Sequence, residues 1–162
     1  MARIFVGVGS NIDRERNIQA GLAALTDTFG ALTVSTIYES EAVGFASDNF
    51  FNLVVGFDSD QSPEQVSTIL RAIEYRFGRQ RGGSRFAPRT LDLDMLLYNG
   101  LVRNDGEINV PREDVTKFAF VLRPLAEIAG DLRHPVSGER YGDLWTGFDQ
   151  TSQALWTALS KP

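Results

Sequence analysis

The sequence predicts an α+β fold with a ferredoxin-like βαββαβ core, in which helices cover a largely antiparallel sheet. Segments with alternating apolar residues, typical of strands, are interrupted by two segments with apolar residues at helical spacing, which gives that element order. Of the 162 residues, 43% are hydrophobic and 23% are charged, as in ordinary globular proteins. With no repeat or linker visible, we expect one domain over residues 1–162.

The first strand and the first helix are predicted from a change of period. Apolar residues alternate over residues 4–8, and this strand should end at Gly9-Ser10-Asn11. We expect a helix from near Asp13 to a stop at Gly30. Its apolar face is formed by Ile18, Leu22, Leu25 and Phe29.

The other three core strands are predicted from short apolar segments. Residues 32–39 and 50–58 form two of them, joined by a glycine-containing loop over residues 40–49. The last core strand has polar and apolar residues on opposite faces. Its apolar face carries Leu91, Leu93, Met95 and Leu97, and its polar face carries Asp92 and Asp94.

The second helix begins with a recognisable capping sequence. Ser62 can cap the helix, Pro63 fits its first turn, and Gln65 can complete a capping box. An apolar face at helical spacing follows, and Gly78 is the expected stop.

The remaining residues are predicted to add short elements around this core. Asn104-Asp105-Gly106 predicts a tight turn, and residues 114–129 should be partly helical around Pro124. A short strand pair is expected around Ser137-Gly138, followed by a helical segment that contains Trp145. These helices would convert the core into an α/β/α sandwich.

The composition excludes several classes of function. A chain without cysteine has no disulfide, thiolate zinc site or thiol nucleophile, and its one histidine, His134, excludes a histidine-rich metal site. Oxygen-ligated metals remain. A pI near 4.9 argues against a nucleic-acid partner, and no apolar segment is long enough to suggest a membrane partner. We expect a cytoplasmic protein with small-molecule partners.

Two aspartates of the last core strand predict a divalent-metal site. Asp92 and Asp94 start about 6.6 Å apart at the backbone, and their side chains can converge on a pair of metal ions about 3.5 to 4 Å apart. Such oxygen ligands suit Mg²⁺, which takes the rest of its ligands from water and substrate phosphates. A half-buried antiparallel strand that only exposes its polar face to water would show the same pattern.

An arginine-rich, glycine-containing segment directly precedes this strand. Its arginines are Arg79, Arg81, Arg85 and Arg89, in a chain whose net charge is −5. Local basicity in an acidic chain indicates an anionic ligand, because guanidinium groups bind phosphate oxygens bidentately. A solvated run of charge is the alternative for this segment alone. Together with the aspartates, it predicts a polyphosphate site with divalent metals.

Six segments stand in a characteristic order: GSN at 9–11, VG at 43–44, FFN at 50–52, FGRQR at 77–81, PRTLDLDMLLY at 88–98 and FVLRPLAEIA at 120–129. This set resembles the 6-hydroxymethyl-7,8-dihydropterin pyrophosphokinase family, and RTLDLD with its upstream arginines is its most specific part. The resemblance implies an enzyme of folate biosynthesis that transfers diphosphate from ATP to the pterin's hydroxymethyl group and releases AMP.

The resemblance also implies roles for individual residues. Asp92 and Asp94 would hold two Mg²⁺ ions and, with Arg79 and Arg89, form the catalytic set. The ATP-binding residues would be Glu74, Arg79, Arg81, Phe86, Arg89, Arg112 and Lys117. The pterin-binding residues would be Ser40, Val43, Phe50, Asn52 and Phe120, with the pterin stacked between the two phenylalanines.

Four positions depart from the pattern of the family. Phe86 stands where the family commonly has tryptophan, and Arg112 where it usually has histidine. Phe118 replaces a frequent arginine, whose charge Lys117 could supply, and Glu41 replaces a frequent proline. We expect none of these residues to touch the aspartate pair, so the departures should bear on ATP affinity and rate.

The implied mechanism is in-line attack of the pterin hydroxyl on the β-phosphorus of MgATP, with catalysis by positioning and charge neutralisation. Residues 78–88 would close over the triphosphate, and we expect a monomer. A non-catalytic ferredoxin-like module that binds a nucleotide or pterin is the alternative. A nucleotidyltransferase is a second one, although Ser10 and Asp92 are far apart for one local motif.

Overall fold

The described residues, 1–41, 49–78 and 90–158 of this computed structural model, form strands and helices in the predicted order. The strands are β1 (Ala2–Ser10), β2 (Thr33–Val34), β3 (Tyr38–Ser40), β4 (Phe50–Ser59), β5 (Asp92–Tyr98), β6 (Arg103–Asn104), β7 (Asn109–Val110) and β8 (Leu155–Thr157). The helices are α1 (Arg14–Phe29), α2 (Pro63–Arg76), α3 (Asp114–Lys117), α4 (Ala119–Ala129) and α5 (Tyr141–Thr146).

The main sheet is antiparallel and has β1 near its centre. Its strand order is β5-β1-β4-β3-β8, and β2 also pairs with β4. β1 pairs with β4 over its whole length on one side and with β5 on the other. The predicted ferredoxin-like α+β core is therefore confirmed. β6 and β7 form a separate hairpin around Gly106, as the turn signal predicts.

Two apolar clusters cover the two sides of this sheet, which confirms the predicted sandwich. On one side, α1 and α2 pack against the sheet. On the other side, α3, α4 and α5 pack against it. The first cluster includes Ile4, Val6, Val8, Ile18, Leu25, Leu53, Leu70, Ile73 and Leu93, and the second includes Phe5, Val54, Leu96, Val115, Leu122, Leu125 and Tyr141.

Both core helices have the predicted ends. α1 stops at Gly30, whose φ of 84° is a left-handed conformation that glycine adopts without steric strain. At the start of α2, the Ser62 hydroxyl accepts the Gln65 N–H at 3.1 Å, and Gln65 Oε1 accepts the Ser62 N–H at 2.8 Å. This is the capping box that the sequence predicts. In the described ranges, no helix has both the length and the hydrophobicity to cross a bilayer.

The single strand predicted over residues 32–39 is wrong in detail, since the structure has two short strands there. Three residues separate the paired positions Val34 and Tyr38, whereas two separate their partners on β4. Ser35 accommodates the extra residue: its N–H donates to the Val54 carbonyl at 3.0 Å, and its hydroxyl accepts the Val54 N–H at 2.9 Å. A side-chain oxygen therefore replaces one acceptor of the ladder.

The predicted face of Leu97 is also wrong. Val6 pairs with Met95 but Phe5 pairs with Leu97, so Leu96 is an extra residue in β5. Such a bulge reverses the alternation of side chains beyond it. Leu96 and Leu97 consequently lie in the cluster beneath α4, whereas the apolar residues before the bulge face α1 and α2.

The C-terminal residues add one element that the sequence analysis missed. β8 pairs with β3 and extends the sheet at that edge. Its three residues are too few to show a period. The other C-terminal predictions are confirmed: α3 and α4 occupy the region around Pro124, Arg133 and Arg140 form a bridge flanking the predicted turn, and α5 contains Trp145.

Candidate active site

The two aspartates of β5 lie on one face of their strand, as their spacing predicts. Asp92 pairs with Gly9 of β1, and Asp94 pairs with Gly7. The bulge follows them in the chain, so the alternation holds at this end of β5. Leu93, between them, is buried under α2, which turns the two half-buried carboxylates toward the α4 side of the sheet.

A buried amide lies in the same row of the sheet as Asp92. Gly9 pairs with Asn52 of β4 on its other side, so the row runs Asp92, Gly9, Asn52 across three adjacent strands. Because neighbouring strands are about 4.8 Å apart, the two outer residues are about 10 Å apart at the backbone. This row joins a predicted metal ligand to a predicted pterin ligand.

Gly9 lies between two predicted site residues, and the sequence analysis did not single out its lack of a side chain. A Cβ atom at this position would lie 3.1 Å from Asn52 Oδ1 and 4.0 Å from Asp92 Cβ. Glycine at position 9 therefore leaves the Asn52 side-chain amide undisturbed, whereas any other residue would crowd it. The available signal was a glycine within an otherwise apolar strand, which often marks a close approach of other groups.

Ser40 and Asn52, both predicted to bind the pterin, are in direct contact. Asn52 Nδ2 donates to Ser40 Oγ at 2.9 Å, and each residue is 7% exposed. Phe50 lies two residues before Asn52 on the same strand, hence on the same face, and is half-buried. The hydrogen bond fixes the orientation of the Asn52 amide.

The start of α4 carries a stack of side chains on this side of the sheet. The rings of Phe118 and Phe120 are stacked with centroids 5.0 Å apart, and Lys117 Nζ lies 5.4 Å from the centroid of the Phe118 ring. Gln153 anchors this segment, because its side chain accepts the Ala119 N–H at 2.9 Å and donates to the Lys117 carbonyl at 3.0 Å. Lys117 therefore supplies a cation beside the position where the family often has arginine.

A cleft of about 210 Å³ lies beside Asp94. It is bounded by α2, by β5 and by the turn of the β6–β7 hairpin. Its exposed lining is mainly polar and includes arginine and amide side chains, which suits a charged ligand. The lining residues include Leu70, Arg71, Met95, Ile108, Asn109 and Arg112.

Arg112 joins this cleft to the aspartate pair, so the expectation that no departing residue touches that pair is wrong. Its Nη2 lies 3.9 Å from Asp94 Oδ1 and its Nε lies 3.4 Å from Asp114 Oδ2. Burial acts to lower the pKa of the guanidinium, but Asp94 and Asp114 outweigh this effect and raise the pKa above its ordinary value. The Arg112 N–H also donates to the Leu96 carbonyl at 3.0 Å, which holds this residue against β5.

Glu74 supports the aspartate pair from the other side of β5. It is 1% exposed, and its Oε2 accepts the Leu93 N–H at 2.8 Å. β5 is an edge strand, so this N–H has no partner strand on its outer side. The buried carboxylate satisfies the donor and fixes the backbone between Asp92 and Asp94.

The profile of 7,8-dihydro-6-hydroxymethylpterin-pyrophosphokinase (HPPK) matches residues 5–130. The chain belongs to this family.

Individual members of the HPPK family are similar over most of their length. A 2-amino-4-hydroxy-6-hydroxymethyldihydropteridine pyrophosphokinase of Pseudomonas aeruginosa is 40% identical over 138 residues, which cover 82% of this chain and 84% of that protein. The enzyme of the same name from Bacillus subtilis is 36% identical over 129 residues, with 76% of each chain covered.

Solved structures with the same fold include an HPPK-containing protein. The Plasmodium falciparum HPPK-DHPS triple mutant with SDX-DHP superimposes with a TM-score of 0.69 at 12% identity. The match covers 90% of this chain but 44% of that longer chain. At this identity the comparison supports the fold alone.

Several predicted site residues of this HPPK family member lie outside the described residues. They are Val43, Arg79, Arg81, Phe86 and Arg89, together with most of residues 78–88. Their assigned roles remain predictions.

The donor set of the aspartate pair fits magnesium. Within the described ranges, no group of three or more histidine, cysteine, aspartate or glutamate residues could hold a metal ion. Mg²⁺ is usually held by one or two carboxylates, with waters and substrate phosphates completing its octahedral shell. Two carboxylates beside a cleft therefore suit an ion that arrives with a nucleotide rather than a permanently bound structural metal.

Proposed function

We infer that this protein transfers a diphosphate from ATP to the hydroxymethyl group of 6-hydroxymethyl-7,8-dihydropterin and releases AMP, a step of folate biosynthesis. Membership of the HPPK family and the names of the curated relatives support this reaction. The observation that carries the proposal is the row Asp92, Gly9, Asn52, because it sets a predicted magnesium-binding carboxylate and a predicted pterin-binding amide on one face of the sheet.

We propose that the two substrates approach this row from opposite ends. ATP occupies the cleft beside Asp94, where Arg112 and Arg71 bring positive charge. The pterin lies near Asn52 and Ser40, whose hydrogen-bonded groups recognise its polar edge, with Phe50 and Phe120 contributing aromatic surface. Holding both substrates on one rigid sheet aligns the hydroxyl with the β-phosphorus, and such positioning supplies much of the acceleration in phosphoryl transfer.

Two Mg²⁺ ions held by Asp92 and Asp94 complete this proposal. Magnesium bound there would neutralise phosphate charge and orient the phosphate oxygens. The half-buried carboxylates sit on a strand fixed by Glu74, so their separation is set before any ligand binds. Arg112, which lies 3.9 Å from Asp94, is well placed to contact a phosphate that binds beside this carboxylate.

The remaining assignments follow from the same proposal. Arg79, Arg81, Phe86, Arg89 and Lys117 contact the nucleotide or its phosphates, and Val43 completes the pterin site. Arginine in particular stabilises charge that develops on a phosphoryl group during transfer. The protein acts as a single pyrophosphokinase domain and as a cytoplasmic monomer.

One experiment tests the reaction. The purified protein is incubated with ATP, Mg²⁺ and the reduced hydroxymethylpterin, and the nucleotide products are separated by chromatography. We expect AMP and a diphosphorylated pterin in equal amounts, and neither without the pterin. ADP as the product, or pyrophosphate release, would contradict diphosphate transfer, and no turnover would favour a non-catalytic module that binds a nucleotide or pterin.

A further inference from the structure

Arg14, the first residue of α1, forms a compact polar cluster with Glu39 of β3 and with Asn49, which directly precedes β4. Its Nη1 donates to Glu39 Oε2 at 3.2 Å and to the Asn49 carbonyl oxygen at 3.0 Å. Asn49 Nδ2 also donates to Glu39 Oε2, at 3.2 Å. The Glu39 side chain is 8% exposed and that of Arg14 is 23% exposed, so the pair is largely removed from water.

This cluster connects β3 and β4 on the face of the sheet opposite the proposed pterin-binding residues. Glu39 of β3 pairs with Phe51 of β4, and Arg14 Cζ lies 4.2 Å from the centroid of the Phe51 ring. One guanidinium group therefore binds both members of a cross-strand pair, one by charge and the other by a cation–π contact.

The neighbouring cross-strand pairs point the other way. Ser40 pairs with Phe50, and Tyr38 pairs with Asn52. Since side chains alternate along a strand, the pairs on either side of Glu39 and Phe51 face α4 rather than α1. Ser40 follows Glu39 directly, and Phe50 follows Asn49 directly, so two of the three cluster residues adjoin a proposed pterin ligand.

Stability alone does not account for a buried ion pair at this position. Removing two charges from water offsets most of their attraction, and apolar residues of similar size often stabilise a fold equally well. A directional ion pair instead fixes one relative placement of the groups that it joins. Here those groups are the end of β3 and the beginning of β4.

We propose that Arg14 and Glu39 are positioning residues for the pterin side of the active site. They hold β3 and β4 from behind, so that Ser40, Phe50 and Asn52 present one fixed arrangement to the pterin. This inference rests on the proposed pterin site. It assigns no direct contact between the pterin and either positioning residue.

Equilibrium binding of the reduced pterin tests the inference. We expect Arg14→Ala to raise the pterin Kd about tenfold, equivalent to about 1.4 kcal/mol, and to change the KM for ATP less than twofold. Arg14→Lys should recover part of this loss, because an ammonium group can still pair with Glu39. A merely structural role predicts no such difference between the two substrates.

Arg3 provides a matched control at the other end of β1. Like Arg14 it pairs with a carboxylate, Asp58, at 3.7 Å, and its Cζ lies 5.3 Å from the centroid of the Phe5 ring. Arg3→Ala should change the melting temperature but leave the pterin Kd unchanged. Equal effects of Arg3→Ala and Arg14→Ala on pterin binding would overturn the inference.

Two further variants keep the test decisive. If Arg14→Ala does not fold, Asn49→Ala removes a single hydrogen bond to Glu39 and should still raise the pterin Kd measurably; an unchanged Kd overturns the inference.

Asn52→Ala tests the pterin site itself. Weakened binding in Asn52→Ala with normal binding in Arg14→Ala rejects the positioning role alone, whereas normal binding in Asn52→Ala rejects the proposed pterin site.

Discussion

At the scale of single residues, the candidate site depends on a glycine, Gly9, as well as on the charged residues Asp92 and Asp94. Asp92 and Asp94 were predictable because alternation along one strand fixes their common face. Gly9 was not, because its role depends on which residues lie opposite it on β4 and β5. A sequence shows the period of a strand but not its register against its neighbours.

Replacing Gly9 tests this dependence. The Cβ of Gly9→Ala would lie 3.1 Å from Asn52 Oδ1, a contact so close that the amide must move. We expect pterin binding to weaken about three- to tenfold, the range for one impaired hydrogen bond, with the KM for ATP little changed. Gly7→Ala is the matched control, since its Cβ would meet Leu96 at an ordinary 3.6 Å. Equal effects of the two substitutions would refute this role of Gly9.

Asp94 tests the metal assignment at the same scale. Asp94→Asn keeps the shape of the side chain but removes the negative charge that would bind Mg²⁺. AMP formation at saturating ATP should fall by about 10²- to 10³-fold, as when one preorganised charge-stabilising group is lost. Asp114→Asn, which alters the other carboxylate beside Arg112, serves as the control and should retain most activity. Near-normal AMP release from Asp94→Asn would contradict the assignment.

At the scale of elements, the two errors in the predicted strands each arise from one extra residue in a strand. Ser35 supplies a side-chain acceptor in place of a backbone one, and Leu96 shifts the second half of β5 onto the other face. Serine and leucine both occur in regular strands, so neither Ser35 nor Leu96 signals an irregularity in the sequence. The helices were predicted better because their capping residues, Ser62 and Gln65, act on the nearest turn and need no partner strand.

Glu74 of α2 accepts a backbone N–H of β5 and is also predicted to contact ATP. Its substitution can separate the structural role from the nucleotide-binding role. Glu74→Ala leaves the buried Leu93 N–H without its side-chain acceptor and should lower the free energy of unfolding by about 1 to 3 kcal/mol in urea titrations. Glu74→Gln retains an acceptor oxygen and should be less destabilised. If both variants are as stable as the wild type, Glu74 does not support β5. Lower ATP affinity in a stable Glu74→Gln variant would support its predicted nucleotide contact.

At the scale of the whole molecule, the two parts of the candidate site lie at different places on the sheet. Ser40, Phe50 and Asn52 lie on the α4 side, whereas the cleft beside Asp94 lies at the β5 edge and is bounded by α2. The element order predicts the helical layers on the two sides of the sheet, because a ferredoxin-like core leaves one face open for further helices. β8 was not predictable, since its pairing with β3 depends on contacts distant in sequence.

The single histidine gives a pH dependence of stability. Burial lowers the pKa of His134 below its ordinary value of 6.5, with Glu139 opposing this effect, and its Nδ1 accepts N–H groups of Val136 and Ser137 at 3.2 Å each. The unfolded chain therefore binds this proton more readily than the folded one. Stability from this group is complete above pH 6.5 and declines as the pH falls through the lowered pKa.

His134→Gln measures that contribution. The difference in unfolding free energy between wild type and variant should change between pH 7 and pH 5, with the wild type losing more. Because the chain has one histidine, its imidazole proton resonance reports the folded pKa directly by NMR. A folded pKa above 6.5 would contradict the predicted direction.

The placement of β1 between β4 and β5 also limits which pterin analogues can react. Backbone hydrogen bonds fix the spacing of Asp92, Gly9 and Asn52 across the three strands, so on the proposed placement of the two substrates the sheet sets the distance between them. A pterin carrying a hydroxyethyl arm should bind almost normally. Its hydroxyl would lie about 1 Å or more from the reactive position, and a displacement of this size can slow transfer about 10²-fold.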